Sequence, residues 1–78
     1  MTDISTNRTA SRVLRVTAER VRRGWTQAEL ARRAHLDPAI LCKIERRRLI
    51  PYQAELARLA RALKVAATEL MTEVGGAP

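Results

Sequence analysis

The chain has 78 residues, with 15 Lys and Arg against 8 Asp and Glu, and a formal net charge of +7. That length fits one domain with a small core and leaves no room within it for a separate catalytic domain. A single cysteine, Cys42, excludes an internal disulfide, and one Trp, one Tyr and no Phe exclude an aromatic platform for stacking single-stranded bases.

The excess charge suits a polyanion, either nucleic acid or an acidic membrane surface. Lys43 and Lys64 are the only lysines, so arginine, whose planar fork matches phosphate and guanine edges, dominates. Residues 1–10 are polar and do not read as a signal peptide. No stretch approaches the ~20 apolar residues of a membrane span. The expected setting is the cytoplasm, near the nucleoid, with no membrane role.

Val, Ile and Thr never alternate over a strand-length run, so the expected class is all-α. Residues 1–10 are expected to form a flexible arm carrying Arg8. Ser11 is placed to cap a first helix with Val13, Val16, Thr17 and Val21 as its apolar stripe. Gly24 ends it, and Trp25 is expected to anchor the core. Thr26 and Glu29 have capping-box spacing for a second helix, whose Leu30, Ala31 and Ala34 face inward. After a turn at Ala34-His35-Leu36, Asp37 caps a third helix with Pro38 at its first position. Leu41 and Ile44 are its buried residues, and Arg46, Arg47 and Arg48 suit its C-terminal dipole. A fourth helix starts near Pro51 and carries Leu56, Leu59, Ala60 and Leu63. Val65 to Ala67 turns, and Thr68 caps a short fifth helix with Leu70, Met71 and Val74. Residues 75–78 read as a frayed tail. Helix one, helix three with its exit, and helix four carry the cations. Residues 65–78 hold Glu69 and Glu73 without a basic group, which suggests an end free for self-association.

Thr26-Gln27-x-Glu29-Leu30-Ala31, Leu36-Asp37, Leu41, Ile44-Glu45-Arg46, Pro51, Leu56, Leu59-Ala60 and Ala62-Leu63 with Val65 form one pattern, together with Arg20 and Gly24-Trp25. It resembles the Cro/phage-repressor-type, or Xre-like, helix-turn-helix regulators, from about Val13 to Met71. The resemblance implies a compact five-helix domain of the lambda-repressor-like DNA-binding type over residues 11–74. Helix two then crosses the DNA backbone and helix three enters the major groove. Thr26 and Gln27 match phosphate-gripping positions. Pro38, Ala39, Ile40 and Lys43 match base-reading positions, with Cys42 beside them, and Arg46, Arg47 and Arg48 match a backbone-contacting loop. Arg20 and Glu45 match a partly buried salt bridge.

Two departures stand out. Family members usually carry Gly where His35, Arg47 and Lys64 stand, positions that often need left-handed backbone. Pro38, Ala39 and Ile40 also lack the polar groups that pair with bases. Specificity is therefore expected to lean on DNA shape, on Lys43 and Arg46, and on an Arg8/Arg12 arm in a minor groove.

Cys42 has no neighbours at ligand spacing, and Glu29 has no second acid or His spaced to work with it. No catalytic residue, metal or cofactor is expected. The expected function is a small autoregulating repressor, a homodimer on a palindromic double-stranded DNA operator. Leu63, Val65, Leu70, Met71 and Val74 are the expected dimer surface. A toxin-partnered antitoxin, a restriction–modification controller, a protein-interaction adaptor and an RNA-binding module are the alternatives.

Overall fold

A computed structural model describes residues 12–75. The chain runs β1 (Arg12–Leu14), α1 (Arg15–Arg22), α2 (Gln27–Ala34), α3 (Pro38–Glu45), α4 (Gln53–Leu63), a 3₁₀ turn (Ala67–Glu69) and β2 (Glu73–Gly75). The expected arm at residues 1–10 with Arg8, and the tail beyond Gly75, lie outside the described residues.

The all-α, five-helix expectation is corrected at both ends. β1 and β2 pair antiparallel, with Arg12 opposite Gly75, Val13 opposite Val74 and Leu14 opposite Glu73. The strands are three residues each, too short to show an alternating run in sequence. The expected fifth helix is one 3₁₀ turn, and Val74 belongs to β2. Gly75 pairs in the strand instead of opening a frayed tail.

The same pairing changes how α1 begins. Leu14, not Ser11, occupies the cap position, with no side-chain cap bond. The first two helical N–H groups donate across the fold instead: Arg15 N to Thr72 O at 2.8 Å and Val16 N to Leu70 O at 3.0 Å. Backbone carbonyls of the C-terminal segment thus satisfy donors that a local side chain would otherwise take.

The other helices start nearer to expectation. Thr26 Oγ1 accepts the Glu29 N–H at 3.0 Å, and Asp37 Oδ1 accepts the Ala39 N–H at 2.8 Å. The Glu29 carboxylate binds Arg32 and Arg33, so the return half of the expected capping box gives way to ion pairs. In α4 the first helical residue is Gln53, and Glu55 accepts the Tyr52 N–H at 2.9 Å.

All four helices end alike. At Gly24, His35, Arg47 and Lys64 the backbone is left-handed, with φ of 73°, 57°, 64° and 58°. The N–H that follows each turns back onto the helix: Trp25 to Arg20, Leu36 to Ala31, Arg48 to Lys43 and Val65 to Ala60. This is the Schellman stop, for which glycine is the unstrained residue. Three of the four stops here use a side chain that bears that strain.

The core is Leu14, Val16, Leu30, Ala31, Ala34, Leu41, Ile44, Leu59, Leu63 and Leu70. Trp25 packs against its edge, only partly buried. Val21, expected inside, is 50% exposed. The inward stripe of α1 is instead Val16, Glu19, Arg20 and Arg23, at helical spacing but mostly charged. Leu63 and Leu70 are fully buried in the chain's own core and so offer no surface to a second copy.

Candidate nucleic-acid interface

α2, the turn at His35 and α3 form a helix-turn-helix. α2 packs on both α3 and α4, so the scaffold holds α3 by one side and leaves the other open. Leu41 and Ile44 face the core, whereas Pro38, Ala39 and Lys43 are exposed. Ile40 and Cys42 are half-buried, Ile40 against the core, and Cys42 is a free thiol. Arg46, Arg47 and Arg48 follow, all exposed.

A polar clamp sets how α3 sits. Arg20 donates from Nε and Nη2 to the two Glu45 oxygens at 2.8 and 3.0 Å, and from Nη1 to the Trp25 carbonyl at 2.8 Å. Gln27 Nε2 donates to Glu45 Oε1 at 3.0 Å. The Glu45 side chain is only 4% exposed. One carboxylate at the end of α3 thus ties α1 and the start of α2 together. A bidentate arginine pair fixes orientation as well as distance. Thr26 is exposed at that same start of α2, but its oxygen caps the helix.

The sequence-level reading missed a second clamp. Glu19 is 7% exposed and binds Arg15 at 2.7 Å, Arg22 at 2.8 Å and Arg23 at 2.6 Å. Hydrogen bonds from Arg23, Arg22 and Arg15 hold its pKa at about 2, overcoming the opposing effect of burial. Arg23 also reaches the Leu63 carbonyl, joining α1 to the end of α4. The signal was legible: arginines at i−4, i+3 and i+4 from Glu19 share one helix face.

These pairs divide the cations. The arginines of α1 all bind carboxylates, and Arg32 and Arg33 bind Glu29. Arg32 is the larger cause of a Glu29 pKa held below its ordinary value. Arg47 binds Glu73 at 3.1 Å, so one of the three expected backbone-contacting arginines already has an internal partner. Arg12, expected in a free arm, lies in β1, 3.9 Å from Glu73. Glu69 likewise pairs with Arg15, so the acidic C-terminal segment is bound to the domain and not left free. Among the described residues, Lys43, Arg46 and Arg48 have no carboxylate partner, nor do Arg58, Arg61 and Lys64. Ile50 and Tyr52, which follow Arg48 in the chain, stand 89% and 78% exposed.

The helix-turn-helix family profile matches residues 16–70. The chain belongs to the Xre/lambda-repressor-like helix-turn-helix family. Its members are DNA-binding regulators. Similar solved structures include the following two. A hypothetical transcription factor, NHTF from Neisseria, is 38% identical over 70% of this chain, with a TM-score of 0.67. The match spans 62% of the Neisseria chain. The restriction-modification controller protein C.AhdI from Aeromonas hydrophila is 28% identical over 73% of this chain and 86% of its own, with a TM-score of 0.68. Among curated proteins none matches the chain. Among the described residues no group of His, Cys, Asp and Glu is arranged to hold a metal, and no helix is long and apolar enough to cross a membrane.

Proposed function

We propose that this helix-turn-helix protein is a small autoregulating repressor that binds a palindromic duplex operator as a homodimer in the cytoplasm. The observation that carries the reading is the open side of α3, where Lys43, Arg46 and Arg48 have no carboxylate partner among the described residues. In this reading Lys43 reaches base edges, Arg46 and Arg48 hold phosphates, and Pro38 and Ala39 touch thymine methyls or sugars. Thr26 adds a phosphate contact through its hydroxyl hydrogen. Gln27 serves chiefly through Glu45, and Arg47 adds to the contact by exchanging Glu73 for phosphate. Ile40 and Cys42 bear on the groove only through their exposed atoms.

Dimerisation places two α3 helices about 34 Å apart, in successive major grooves. The half-buried Val65, Met71 and Val74 remain the surface for it, beside the β1–β2 pair. Selection of bound sites from a random duplex library tests the whole reading. A two-fold symmetric consensus and steeply salt-dependent binding are expected. Equal affinity for every duplex would overturn sequence-specific repression.

A second reading, a restriction–modification controller, is favoured by the similarity to C.AhdI, which spans most of both chains. Neighbouring endonuclease and methyltransferase genes would support it, and a promoter reporter would separate activation from repression.

A further inference from the structure

The second group of unpaired cations lies on α4, apart from the open side of α3. Arg58 and Arg61 line an open pocket of about 270 Å³ with Ala62, and Arg33 of α2 and His35 of the turn after it complete the lining. No carboxylate lines it. Two of the three guanidiniums are held through Nε. Arg33 donates Nε to Glu29 and stacks on Trp25, its Cζ 4.2 Å from the ring centre. Arg58 donates Nε to the Ala34 carbonyl at 3.2 Å, which satisfies the end of α2. In both, the two Nη groups remain for another acceptor. Arg61 is exposed, with no ion-pair partner among the described residues.

Glu29 meets part of the charge on Arg33, but Arg58 and Arg61 face it without a carboxylate partner among the described residues, so like charges remain close and repel one another at this wall. A ligand that brings negative charge relieves that repulsion. Guanidinium edges already held by other bonds lose little freedom on binding, which favours affinity. Forked N–H pairs match phosphate oxygens. Even with Arg33 shared with Glu29, the two uncompensated guanidiniums of Arg58 and Arg61 suit a group of two negative charges better than a phosphodiester, which carries one.

We propose that Arg33, His35, Arg58 and Arg61 form a binding site for a small phosphate monoester or pyrophosphate group, separate from the DNA-reading side of α3. The pocket joins the end of α2 to α4, so its ligand cross-links two helices that together carry half of the core.

The test uses inorganic pyrophosphate on the full chain without DNA, followed by ¹H–¹⁵N NMR. Saturable shifts confined to residues 33–35 and 58–62 are expected, with a raised Tm. Sodium chloride of matched ionic strength should leave both unchanged. Arg61→Gln, which breaks no internal bond, should weaken pyrophosphate binding at least five-fold and leave the ligand-free Tm in place. Arg58→Gln should also weaken it, with a lower ligand-free Tm because the α2 end loses its cap. Shifts reproduced by sodium chloride, or equal binding by Arg61→Gln and the parent, would overturn the proposal. A duplex arm separates the sources of phosphate: Arg61→Gln should keep its affinity for duplex DNA. If it loses that affinity while pyrophosphate fails to bind the parent, the pocket belongs to the DNA interface and the proposed site is wrong.

Discussion

α1 and the end of α3 carry similar cations in opposite circumstances. Arg15, Arg20, Arg22 and Arg23 close on Glu19 and Glu45, whereas Lys43, Arg46 and Arg48 close on nothing within the described chain. The first set acts inward, fixing α1 to α3 and α4, and the second has no carboxylate partner among the described residues. Net charge does not distinguish them. A +7 chain has far fewer unpaired cations than its composition suggests, because much of its arginine is neutralised where it stands.

That contrast is sharpest at Glu45. Glu45→Ala strips Arg20 and Gln27 of their acceptor in a nearly closed site, and removing one partner of such a pair costs about 3–5 kcal/mol. Denaturant unfolding should show that loss. Arg46→Ala, one residue on, should stay within about 0.5 kcal/mol of the parent, as surface substitutions do. Similar losses at the two positions would break the division between inward and outward cations.

The Glu19 clamp predicts a pH dependence. Its folded pKa, about 2, lies below its ordinary value, so the unfolded chain takes up the proton first. The stability it contributes is complete above the ordinary carboxylate range and is lost as pH falls from about 4.5 toward 2. Tm measured across that window should drop, and Glu19→Gln should start lower but fall less steeply. An equal slope in the variant would place the acid sensitivity elsewhere.

On the outward side, Lys43→Gln should leave Tm unchanged and weaken duplex binding. If Lys43 reads a base, discrimination at one operator position falls by about 1–3 kcal/mol; if it only meets phosphate, binding weakens evenly and the salt slope drops by about 1. The smallest effect concerns neither set of clamps. Lys64→Gly relieves left-handed strain at the end of α4 and should stabilise by about 0.5–1 kcal/mol in the same unfolding assay.

The helix-turn-helix was legible because its signals are local. Thr26, Asp37 and Pro38 mark helix starts within three residues of the donors they serve, and Leu30, Ala31, Ala34, Leu41 and Ile44 show their inward face by spacing alone. α1 was misread for the opposite reason. Its buried stripe is charged, and apolar periodicity passes over Glu19, Arg20 and Arg23 in favour of Val21. Of the interface, Lys43 and Arg46 to Arg48 could be named from their positions, but not the engagement of Arg47 and Arg12 with Glu73.

Taken alone, the sequence determined the three central helices and their order; the resemblance only pointed to left-handed backbone at His35, Arg47 and Lys64, which the structure then placed there. Each helix depends on residues a few positions apart, where backbone geometry fixes the contact. The tertiary structure decided the rest: β1 pairing with β2, the capping of α1 by Thr72 and Leu70, the burial of Leu63 and Leu70, and which arginines remain unpaired. Those outcomes depend on groups 18 to 63 residues apart in sequence, such as Gln27 with Glu45 and Arg12 with Gly75. Their meeting is set by how the helices pack, and no local spacing encodes it.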